Sequence, residues 1–70
     1  MWQYAYIPWR VLRSAAQRVR IHERAEQEGV AVMHFRDGTL EVRGEDPEKV
    51  RRFLGILERE YHAAPTRESR

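Results

Sequence analysis

VAVMHFRDGTLEVRGEDPEKVRRFLGILEREY, residues 30–61, decides the fold, because four independent signals in it agree. Apolar and polar residues alternate on both sides of Asp37-Gly38, a pair favoured in two-residue hairpin turns. Such a turn sets Arg36 opposite Thr39, Phe35 opposite Leu40, His34 opposite Glu41 and Met33 opposite Val42. Side chains alternate between faces along a strand. Ala31, Met33, Phe35, Leu40 and Val42 then make the core face. Val32, His34, Arg36, Thr39, Glu41 and Arg43 make the other. A slip of one residue would invert this assignment.

Gly44 ends the hairpin, and the next residues start a helix. The Asp46 carboxylate suits an N-cap, where it accepts from free N–H groups of the first turn. Pro47 suits the first helical position, where an N–H is not needed. Glu48 sits favourably at the positive end of the helix dipole. Val50, Phe53, Leu54, Leu57 and Tyr61 recur at helical spacing as one apolar stripe.

Working outward toward the N-terminus, Trp2, Tyr4 and Tyr6 alternate with Gln3, Ala5 and Ile7, the pattern of a short strand. An extension of the following helix over the same residues is left open. Pro8 breaks the strand. A single helix is expected from Trp9 to Glu28, with Val11, Leu12, Ala15 and Val19 as its apolar face and Gly29 as its stop. The expected fold is a small α+β domain in the order β-α-β-β-α, its antiparallel hairpin sheet packed against two helices. Residues 1–64 form this one domain, and 65–70 a flexible C-terminal tail.

Seventy residues lie near the lower size limit for independent folding. With no cysteine, neither a disulfide nor a thiolate metal site can staple the fold. Small unstapled cores often gain stability by oligomerising. No apolar run is long enough to span a membrane, and no secretory signal is expected at the N-terminus. These features lead to the expectation of a cytoplasmic protein. The net charge is +2, so charge placement matters more than total charge.

Arg10, Arg13, Gln17, Arg20 and Arg24 fall within roughly 80° on a helical wheel. On one continuous helix they would form a stripe ~20 Å long. Guanidinium groups stay charged and bind phosphate bidentately, so such a stripe could follow a nucleic-acid backbone, with Arg36 and Arg43 in support. Glu23, Gln27 and Glu28 lie close enough to make it an ordinary solvated face instead.

Trp2, Tyr4, Tyr6 and Trp9 hold four of the seven aromatic residues. With Tyr4 and Tyr6 beside His34, Arg36 and Arg43, such rings would make a stacking platform for unpaired bases. They equally suit a core or a subunit interface. His22 and Glu26 are four residues apart, and His34 is set across from Glu41 as a polar cross-strand pair. Two ligands do not make a metal site. No catalytic, metal or cofactor motif accompanies them, so no enzyme activity and no cofactor are expected.

Residues 26–61 resemble the second half of the KH family of RNA-binding domains. The resemblance rests on Gly29, the strand from Val30 to Phe35, Asp37-Gly38, the strand from Leu40 to Arg43, Gly44 and the helix from Val50 onward. It implies a nucleic-acid-binding α+β module. That family grips the backbone through a G-x-x-G loop, and the comparable SAAQRV here contains no glycine. No clamp residue is therefore carried over.

Two functions are expected from these features. One is nucleic-acid binding through Arg10, Arg13, Arg20, Arg24, Arg36 and Arg43. The alternative is a protein-interaction module, a homodimer joined through Trp2, Tyr4, Tyr6 and Trp9. The expected partners are nucleic acid and a second copy or partner protein, with neither a membrane nor a small-molecule substrate.

Overall fold

The computed structural model describes residues 2–65. Strand β1 (Trp2–Tyr6) is followed by a short helix α1 (Trp9–Leu12), helix α2 (Ala15–Glu28), strands β2 (Ala31–His34) and β3 (Thr39–Arg43), helix α3 (Pro47–Tyr61) and a two-residue strand β4 (Ala64–Pro65). The order β-α-β-β-α is as the sequence predicts. The sheet runs β2-β3-β1-β4, and every neighbouring pair is antiparallel. β1 and β2 both run opposite to β3, so they are parallel to each other with β3 inserted between them. This is the split β-α-β plan.

Leu40, Val42 and Ala5 from the sheet meet Ile21 and Ala25 of α2 and Val50, Phe53 and Leu57 of α3 in one buried cluster. The Asp46 carboxylate accepts from the Glu48 N–H at 3.0 Å, and Pro47 stands at the start of α3. Ile56 joins the buried face of α3, while Leu54 and Tyr61 pack at its margin.

The structure corrects three expectations. The first is the single helix over 9–28. Ser14 is extended (ψ 115°), and its hydroxyl accepts from the Gln17 N–H at 3.2 Å, so a new helix begins there. Serine bonds its own backbone neighbours readily, which suits a cap better than a helix interior. The break also resets the helical phase. Val11 and Leu12 are buried as expected, but Ala15 and Val19 are exposed, and Ile21 and Ala25 take the core positions of α2.

The second is the hairpin register. A type I′ turn needs positive φ at both central residues, but in this hairpin only Gly38 has it (φ 90°). Phe35 N–H donates to the Thr39 carbonyl (2.9 Å), and Gly38 N–H to the Phe35 carbonyl (3.2 Å). That closes a three-residue loop, Arg36-Asp37-Gly38, with glycine in the left-handed bulge position. The Asp37 carboxylate braces the loop by accepting from the Thr39 N–H at 2.9 Å. The pairing therefore becomes Met33 with Glu41 and His34 with Leu40. β2 is inverted relative to the prediction: Val32 and His34 share the helix-facing side with Leu40 and Val42. Met33 lies on the outer side.

The third concerns the C-terminal end. Pro65, expected to begin the tail, still pairs with Ala5 of β1. The chain reverses at His62 (φ 60°), and Ala63 is buried, which carries β4 back against the free edge of β1. The remainder of the expected tail lies outside the described residues.

Candidate binding groove

One face of α2 and one edge of the sheet define a groove. Ala15, Arg18, Val19 and His22 recur at helical spacing along α2, and His34 of β2 faces them across a space of about 410 Å³. A contiguous space of about 460 Å³ extends it toward the hairpin tip, lined by Leu12, Arg18, His34, Phe35 and Arg36. Arg18 and His34 belong to both. The Arg18 guanidinium donates to the Leu12 carbonyl at the end of α1, which anchors it at the helix break.

The His34 ring lies 5.0 Å from that of His22, tilted by 41°. Both His34 ring nitrogens are shielded from solvent, and neither has a hydrogen-bond partner among the described residues. A buried polar group left in that state costs about 1–3 kcal/mol. Burial lowers the His34 pKa below the ordinary histidine value, and the neighbouring His22 and then Arg18 push in the same direction. Each of these effects favours the neutral imidazole.

The expected arginine stripe is dispersed. Arg10 lies on α1, and Arg13 lies exposed in the turn after it. Both are separated from α2 by the break at Ser14. Arg20 is exposed on α2, about 200° round the helix from Arg18 and outside the groove. Arg24 is engaged by Glu28 (3.4 Å) and by Glu60 of α3 (3.2 Å). Arg43 pairs with Glu41 on the outer sheet face at 3.4 Å. Among the predicted arginines whose side chains are described, Arg36 lines the groove. Arg18, which the wheel sets apart from the predicted stripe, joins it there. The i, i+4 spacing of Arg18 and His22 was the available signal.

Of the predicted aromatic residues, Tyr4 and Tyr6 lie apart from the groove. Trp2 pairs in register with Arg43, Tyr4 with Glu41 and Tyr6 with Thr39, while Trp9 opens α1. Tyr4 and Tyr6 share the outer sheet face with Met33, and all three are more than a third exposed. Glu41 is buried among them, accepting from the Tyr4 hydroxyl at 3.2 Å and from Arg43. His34 lies on the opposite side of the sheet, so neither the expected His34–Glu41 pair nor a platform including His34 forms.

Among the described residues, no cluster of three or more histidine, cysteine or acidic side chains could hold a metal ion. No helix there is long and apolar enough to cross a membrane.

Comparison with known protein families, with curated proteins and with solved structures gives no match. The fold defines the class: a small α+β domain with an antiparallel sheet, helices on one face and, among the described residues, the other face open. Any finer assignment rests on the groove and the open sheet face.

Proposed function

We propose that this domain is a nucleic-acid-binding module that takes a single strand along the groove between α2 and β2. The observation that carries the reading is the convergence of Arg18, Arg36 and Phe35 on one space of about 460 Å³. Single-strand binders combine cations that track the backbone with an aromatic surface on which bases stack. The resemblance of residues 26–61 to KH domains favours the same ligand class, but the glycine-free turn at Arg13-Ser14 excludes their backbone clamp. The activity is binding without catalysis, in the cytoplasm.

Anisotropy titration of labelled single-stranded RNA, single-stranded DNA and duplex DNA at two salt concentrations tests this. Single strands should bind more tightly than duplex, with affinity falling as salt rises. Arg36→Glu and Arg18→Gln should each weaken binding and flatten the salt dependence by about one phosphate contact. Unchanged affinity in both variants would exclude the groove.

A second reading is self-association through the outer sheet face. Exposed Tyr4, Tyr6 and Met33 favour it, because tyrosine and methionine are enriched in interfaces. It predicts a melting temperature that rises with protein concentration and loses that dependence in Met33→Glu.

A further inference from the structure

We propose that Arg18, His22 and His34 form a phosphate subsite inside the groove, with the two imidazoles and the guanidinium donating to one anion. Three observations carry this. Arg18 and His22 stand one helical turn apart on α2 and line the same space as His34. The His22 and His34 rings are 5.0 Å apart, close enough for one small anion to lie against both. Both His34 nitrogens are shielded from solvent and unpartnered among the described residues, so an acceptor that reaches them after a turn of the ring gains a hydrogen bond without breaking one in the protein.

The surroundings set the sign of the pH dependence. From α2, His34 faces Arg18 and His22; its partner on β3 is Leu40, and the hairpin contributes Arg36. Glu41 is on the other side of the sheet. Glu23 and Glu26 of α2 lie beside His22, along the adjoining surface toward Val30. In the free protein, cationic neighbours and burial oppose protonation of His34. A bound anion reverses that balance, so binding takes up a proton and strengthens as pH falls. The subsite rests on the nucleic-acid reading for its source of phosphate, a backbone phosphodiester.

The test follows the His22 and His34 ring signals by NMR in the intact protein. A short single-stranded RNA and, separately, inorganic phosphate are titrated at pH 5.5 and 7.5. The RNA should bind about tenfold more tightly at pH 5.5, the factor expected for a one-unit rise in pKa on binding, with both ring signals moving. His34→Gln, which cannot take up a proton, should remove most of that dependence; His62→Asn, outside the groove, should keep it. RNA binding with unmoved rings and an unchanged pH profile in His34→Gln would overturn the subsite while sparing the nucleic-acid reading. Phosphate that moves both rings where RNA does not bind would support the subsite and sink that reading. If neither ligand moves the rings, the subsite is overturned.

Discussion

Single residues set the most distinctive energetics of this domain. His34 occupies an inward-facing strand position beside Val32 and opposite Leu40, where an aliphatic side chain would bury no polar atom. His34→Leu is therefore expected to raise stability by about 1–3 kcal/mol, the cost of the unpaired polar group, as read by urea denaturation at pH 7.5. The pH dependence has a defined sign. A histidine whose folded pKa is lowered leaves stability complete above its unfolded value of 6.5, and stability falls as pH drops from there toward the lowered folded value. The wild type should lose more stability between pH 7 and pH 5 than His34→Leu. An equal loss in both would show that His34 titrates normally. Gly38 is the other sensitive residue. Its φ of 90° lies in a region that side chains disfavour, so Gly38→Ala should cost about 1–2 kcal/mol in the same assay.

Elements show where local signals sufficed and where they conflicted. The start of α3 was legible because Asp46, Pro47 and the apolar period all indicate it, whereas Ile56 was missing from the predicted apolar stripe. The hairpin was legible in position but not in register. Asp-Gly suits a two-residue loop, and a glycine also suits the bulge of a three-residue loop. Both readings bury Leu40 and Val42; they differ in whether Met33 and Phe35 or Val32 and His34 accompany them inward. The helix break was signalled by Ser14 alone, against an apolar and arginine periodicity that ran on through it. Removing that cap with Ser14→Ala should destabilise the domain by about 1 kcal/mol. Loss of helical circular dichroism on heating at lower temperature than the wild type would register it. No change would mean that the break is held by packing and by Arg18 on Leu12 rather than by the cap.

The whole molecule depends on one thin core. Phe53 is fully buried where α3 meets the sheet. Phe53→Ala should cost about 3–5 kcal/mol, a large share of the about 5–15 kcal/mol that holds a typical domain together. The variant should be largely unfolded near 37 °C by circular dichroism; a cooperative transition close to that of the wild type would show that the core is broader than this cluster. At this scale, sequence by itself determined the α+β class, the order of strands and helices, and the burial of Leu40, Val42, Val50, Phe53 and Leu57. Those features follow from short-range period and capping chemistry, which adjacent residues specify. Tertiary structure alone decided the register of β2 and the pairing of β4 with β1. It also decided the groove, because Arg18 and His34 lie on different elements and meet only when α2 packs across the sheet. Their proximity depends on helix phase and strand register together, and a change of one residue in either would have turned one of them away.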